Sequence, residues 1–140
     1  MSAPLFSAII LTLFPEMFPG PLGHSLAGTA LKNGIWNLRA INIRDFAKDK
    51  HRTVDDSPYG GGTGMVLKPD ILHEAIEYAK TQLPGAQLIY TSPRGVPLTQ
   101  GLAENFKTQN LIILCGRFEG IDQRIIDDFN KKGVDAMVLD

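Results

Sequence analysis

Two glycine-bearing segments carry the side chains best suited to chemistry. Tyr90-Thr91-Ser92-Pro93-Arg94-Gly95 combines hydroxyls, a cation and a glycine. Cys115-Gly116-Arg117-Phe118-Glu119-Gly120 sets a cation, an aromatic face and a carboxylate between two glycines. Each follows an apolar run with the composition of a strand. Ligands of open parallel sheets sit just beyond the carboxyl ends of the strands. Glycine there lets a ligand approach the backbone, while Pro93 stiffens its turn and withholds one donor. The same residue types also build ordinary strand-to-helix turns, so the segments are candidates on position and composition.

Other constellations are weaker. Gly60-Gly61-Gly62-Thr63-Gly64 fails as a dinucleotide-binding loop, because Met65 stands where the third glycine belongs and a charged stretch precedes it. Residues 23–28 have the glycine spacing of a phosphate-binding loop, but Thr29 replaces the lysine that must reach the phosphates. Kinase, nucleotidase and nicotinamide dehydrogenase readings therefore have no motif behind them. His24, His51 and His73 are scattered, and no Cys/His cluster has zinc spacing. His73 with Glu77 has the i,i+4 spacing of a metal pair, a spacing that surface residues share. Asp55-Asp56 has the chemistry to hold magnesium, which is retained as a candidate cofactor, although paired aspartates also serve as turn formers.

These segments need elements to position them. Residues 6–13 are apolar and β-branched enough for a buried strand. Pro15, Pro19, Gly20 and Pro21 break the next stretch into turns. Leu22, Leu26, Ala30 and Leu31 predict a short helix over 22–32, stopped by Asn33-Gly34. Trp36, Leu38 and Ala40 alternate with polar residues as in a half-exposed strand. Residues 44–68 show no period and are dense in charge and glycine, as functional loops often are. Ile71, Leu72, Ala75, Ile76 and Ala79 mark one helical face after Pro69. Residues 87–91 predict a strand, Thr99 caps a helix over 100–107, and residues 111–115 form a strand covered on both faces. A helix over 121–129 and a strand over 134–139 follow. Strands alternating with helices imply an α/β fold, a parallel sheet with helices on both faces.

The chain has 140 residues, 44% of them hydrophobic, enough for one domain with its own core without disulfides or a structural metal. Its lone cysteine, Cys115, cannot form an intrachain bridge and fits a reducing compartment. The apolar run over 5–14 is too short to span a bilayer and ends at Pro15. With no secretory signal pattern, a cytoplasmic protein without a membrane partner is expected. A formal net charge of -1 gives no support for nucleic-acid binding, so any RNA partner must be met by local positive charge.

Taken in order, four segments resemble the bacterial tRNA (guanine-N1)-methyltransferase family, of the knotted SPOUT type. They are Leu13-Phe14-Pro15-Glu16-Met17-Phe18, His51-Arg52-Thr53-Val54-Asp55-Asp56, Pro58-Tyr59-Gly60-Gly61-Gly62-Thr63-Gly64-Met65 and Cys115-Gly116-Arg117-Phe118-Glu119-Gly120-Ile121-Asp122. Thr91-Ser92-Pro93-Arg94-Gly95 falls at the expected distance before the last. The likeness covers residues 5–126, and its specificity lies in the ordered set.

The resemblance implies a trefoil-knotted methyltransferase domain, a homodimer, and S-adenosylmethionine bound in the knot. The substrate is tRNA, methylated on N1 of the guanine just 3′ to the anticodon. Tyr90, Thr91, Ser92, Pro93 and Gly116 would line the methyl-donor pocket. Phe118 would stack on the flipped guanine and Glu119 would read its polar edge. Arg117, with His51, Arg52 and Asp55, would position RNA or close the pocket. Thr63 stands where the family usually has proline.

The family also continues beyond this point with a glycine-rich segment, a helical tRNA-binding domain, and the aspartate and arginine assigned to proton removal. On that basis residues 1–140 are expected to be a truncated S-adenosylmethionine-binding domain, its general base lying beyond Asp140. Two alternatives stand beside this reading. One is a knotted methyltransferase with another RNA target; the other is a non-catalytic dimeric α/β module that binds a nucleotide-like ligand.

Overall fold

The computed structural model describes residues 3–51, 54–56, 66–115, 124, 127 and 136–139; for 55, 56, 66, 93, 94, 136 and 138 the description is of the backbone. The elements bounded among the described residues are, in chain order, β1 (Ser7–Thr12), α1 (Ser25–Lys32), β2 (Asn37–Asn42), β3 (Asp55–Asp56), β4 (Val66–Leu67), α2 (Pro69–Gln82), β5 (Gln87–Val96), α3 (Gln100–Phe106), β6 (Leu111–Cys115) and β7 (Ala136–Leu139). Five strands form a sheet in the order β2-β1-β6-β5-β7, every neighbouring pair parallel. β3 and β4 form a separate antiparallel pair.

Side-chain alternation along the strands supplies two buried faces. One face carries Ile9, Leu11, Leu88, Tyr90, Ile112 and Leu114 against the apolar stripe of α2. The buried residues of that helix are Ile71, Leu72, Ala75, Ile76 and Ala79, the face expected from the sequence. Burying each large side chain contributes about 1.5–3 kcal/mol, which fixes the helix on the sheet. The other face carries Ala8, Ile89 and Leu111, packed with the half-buried Leu102 and Phe106 of α3. Helices thus cover both faces of a parallel sheet, as expected. The expected trefoil knot falls largely on residues outside the described ones.

Four expectations need correction. The first helix begins at Ser25 instead of residue 22, because Gly20–Gly23 closes a 3-10 turn in which Pro21 withholds a donor. Its apolar side is not a core face, since Leu26 is 86% exposed and α1 buries no residue. The stretch over 44–68 is not wholly irregular: Ile43–Phe46 is a 3-10 turn and β3 pairs β4. Elements this short have no periodicity to read.

The fourth correction bears on the site. β5 does not end near Thr91 but runs on to Val96. Thr91 and Val96 both pair with Leu139 of β7, so residues 92–95 form an irregularity within the strand instead of a turn after it. The rest of the reading matches closely. Thr99 Oγ1 accepts from the Leu102 N–H at 3.2 Å at the start of α3, and β6 spans Leu111–Cys115. The helix expected over 121–129 lies outside the described residues, except that Arg124 and Asp127 are helical.

Candidate methyl-donor and substrate site

Because all five strands of the sheet are parallel, their carboxyl ends share one edge. Parallel register sets Tyr90 beside Leu114 and Thr91 beside Cys115. On the other side of β6, Leu11 pairs with Leu114, which brings Thr12 level with Cys115. Thr91 of the first segment and Cys115, the first residue of the second, are therefore neighbours at this edge. Thr91 is exposed, and its Oγ1 donates to the Leu114 carbonyl at 3.5 Å, bridging β5 to β6.

The edge around Thr91 suits a ligand that uses backbone groups. The β5-to-β7 ladder breaks between Thr91 and Val96, so the intervening backbone is diverted from regular pairing. Tyr90 is 9% exposed and belongs to the core beneath α2, so it offers the edge its backbone. Ser92 is half-buried, and Pro93 is described in its backbone only. Cys115 is half-buried, and burial raises its thiol pKa above the ordinary range. Among the described residues, the chemistry at this edge comes from backbone and hydroxyl groups; Cys115 is held in the neutral, weakly nucleophilic form. Gly116, Arg117, Phe118 and Glu119 lie outside the described residues.

The second expected segment is partly in view. His51 is exposed, Arg52 lies outside the described residues, and Asp55 begins β3. Val54 and Leu67 are buried in the same core as α2, and the Lys68 N–H donates to the Val54 carbonyl at 2.7 Å. The glycine-rich stretch over 57–65 therefore leaves from and returns to an anchored base. His73 Nε2 lies 4.0 Å from Glu77 Oε1 on α2. Among the described residues, no group of three or more His, Cys, Asp or Glu is placed to hold a metal ion.

A cleft of about 420 Å³, lined by Leu5, Phe6, Ile35, Trp36, Lys107 and Thr108, lies at the opposite edge of the sheet. Phe6 and Trp36 stack there with centroids 5.9 Å apart, and Trp36 Nε1 donates to the Ala27 carbonyl at 3.0 Å. Lys107 is paired with Glu104 at 2.6 Å. This cleft is an apolar seam between the two strand starts and is remote from the candidate site.

Comparison with known sequences settles the family. The profile described as tRNA (Guanine-1)-methyltransferase TrmD matches residues 6–137. The chain belongs to that family. Curated relatives named tRNA (guanine-N(1)-)-methyltransferase agree with it. The one from Rickettsia rickettsii (strain Sheila Smith) is 53% identical over 131 residues, covering 93% of this chain and 56% of the relative. That from Sphingopyxis alaskensis is 56% identical over 123 residues, covering 87% and 50%. That from Ehrlichia canis is 52% identical over 133 residues, covering 93% and 57%. The chain spans about half the length of the curated relatives it matches. Both candidate segments and the Leu13-Phe14-Pro15-Glu16-Met17-Phe18 stretch fall inside the matched span of the TrmD family. No helix among the described residues is long and apolar enough to cross a membrane.

Proposed function

We propose that the protein transfers a methyl group from S-adenosylmethionine to N1 of the guanine just 3′ to the anticodon of tRNA. The observation that carries this is the pairing of Thr91, where the β5 ladder breaks, with Cys115 at the end of β6, in a chain matching the TrmD family over residues 6–137. The interrupted ladder after Thr91 provides backbone donors and acceptors for an adenosine-like ligand, with Gly116 leaving room on the β6 side. In this reading S-adenosylmethionine supplies an already activated methyl group, so the protein's work is orientation and proton removal.

Guanine must leave its stack to reach such an edge, and unstacked bases are received by an aromatic face and edge-reading polar groups. Phe118 supplies the face. Glu119 accepts from the N1 and amino edge, and Arg117 stabilises charge developing on the base. N1 becomes a competent nucleophile as its proton leaves to a general base. In the family's pattern that group lies beyond residue 140. His51, Arg52 and Asp55 help position the RNA or close the pocket. A homodimer is part of the same proposal; large apolar residues left exposed, Leu22 and Leu26 among them, support a face covered by a second subunit.

Calorimetric titration with S-adenosylmethionine and S-adenosylhomocysteine tests the donor pocket. Both should bind, and Gly116→Val should abolish binding while the melting temperature stays near wild type. Wild-type protein that binds neither compound would favour a non-catalytic module, and unchanged affinity in Gly116→Val would move the pocket elsewhere.

A further inference from the structure

One segment of the family pattern has no role in the reading above: Leu13-Phe14-Pro15-Glu16-Met17-Phe18. The sheet order gives it one. In the order β2-β1-β6-β5-β7, the chain leaves β1 towards β2, on one side, and leaves β6 towards β7, on the other. Between two neighbouring parallel strands whose connections part in opposite directions, the carboxyl edge opens into a crevice, and ligands of open α/β sheets bind there. The β1/β6 junction is that place. It is distinct from the β5/β6 junction assigned to the methyl donor, yet shares β6 with it.

The segment after β1 is built as a firm wall. The buried Thr12 hydroxyl accepts the Phe14 N–H at 3.0 Å, and the Met17 and Phe18 N–H groups donate to the Phe14 and Pro15 carbonyls at 3.0 and 3.1 Å. The 3-10 turn Pro15–Met17 rests on β1 and β2, so it stands on the outer side of the junction. Despite this rigidity it displays apolar surface: Met17 is 66% exposed and Phe14 38%, with Glu16 exposed between them.

The side chains decide the occupant. Residues 13–23 contain no lysine, arginine or histidine, so the wall has no side-chain cation for a phosphate. It offers apolar faces and one carboxylate, which match the face and the N–H edge of a nucleobase. Resting on the proposed tRNA methylation, we infer that residues 13–18 form a second nucleobase-binding wall: Phe14 and Met17 pack on a base of the unstacked anticodon loop, and Glu16 accepts from its edge. The segment would hold the RNA in place while the target guanine occupies the β6 side.

The test is fluorescence titration of an anticodon stem-loop RNA with wild type, Met17→Ser, Phe14→Ala and Glu16→Gln, alongside calorimetry with S-adenosylhomocysteine. Base–side-chain stacking is worth roughly 1–3 kcal/mol, so RNA dissociation constants of Met17→Ser and Phe14→Ala should rise on the order of tenfold or more. Glu16→Gln should also weaken binding, because the amide offers a base N–H one acceptor and a competing donor. S-adenosylhomocysteine affinity should not change. Met17 is exposed enough that its variant should melt like wild type, which keeps the test open if Phe14→Ala is unstable. If wild type binds both ligands and Met17→Ser binds RNA equally well, this wall is wrong and the methyltransferase reading survives. If wild type binds no RNA, both fail. Weakened self-association of Met17→Ser in sedimentation, with RNA affinity unchanged, would assign the patch to a second subunit and overturn the inference.

Discussion

Thr91 and Cys115 show how neighbouring residues can sit at one edge with different chemistry. Thr91 is exposed and hydrogen-bonded across to β6, while burial holds Cys115 as the neutral thiol. Because the folded pKa of Cys115 is raised, its contribution to stability is present in full below the ordinary thiol range. It is lost as pH rises through the higher folded value, since the unfolded chain ionises first. Chemical denaturation of wild type and Cys115→Ala should therefore show wild type losing stability relative to the variant as the medium becomes alkaline. The rate of alkylation should lag behind that of a free thiol over the same range. A thiol that ionises at the ordinary pH would contradict this. The residue types around Gly116 to Gly120 suggested chemistry by composition, though they lie outside the described residues, and Leu13-Phe14-Pro15-Glu16-Met17-Phe18 suggested none. Its meaning depends on which strands are neighbours, and no local pattern records that.

At the scale of elements, α2 was fully legible: a 3.6-residue period over five apolar residues named the face that is buried. β6 was legible as a continuous apolar run. The extent of β5 was not, because Ser92-Pro93-Arg94-Gly95 has turn composition and pairing with β7, a partner far along the chain, resumes only at Val96. The start of α1 was hidden for a related reason. Gly28 packs against Gly23 so closely that a Cβ there would overlap the Gly23 carbonyl group. Alanine in a helix is ordinarily better than glycine by about 1 kcal/mol. Overpacking against fixed backbone typically costs 1–3 kcal/mol and should prevail here. Gly28→Ala should lower the thermal midpoint, and a raised midpoint would show that the turn before α1 yields easily.

For the molecule as a whole, alternation of strands and helices was enough to give a parallel α/β sheet, but strand order was not readable. That order places β1 beside β6, and so sets the proposed donor junction and the proposed nucleobase junction side by side on one edge. Under the proposed function, a near-neutral chain must meet RNA through such shaped edges more than through overall charge. The proposed homodimer should appear as a two-chain species in sedimentation velocity at micromolar concentration; a single-chain species throughout that range would contradict it.

The central claim is the transfer itself. Single-turnover incubation with radiolabelled S-adenosylmethionine and a tRNA transcript, followed by nucleoside analysis, should place label on N1 of the guanine 3′ to the anticodon. A transcript with adenine at that position should remain unlabelled. Labelling of a different nucleotide, or bound S-adenosylmethionine with no transfer to any tRNA, would contradict the account.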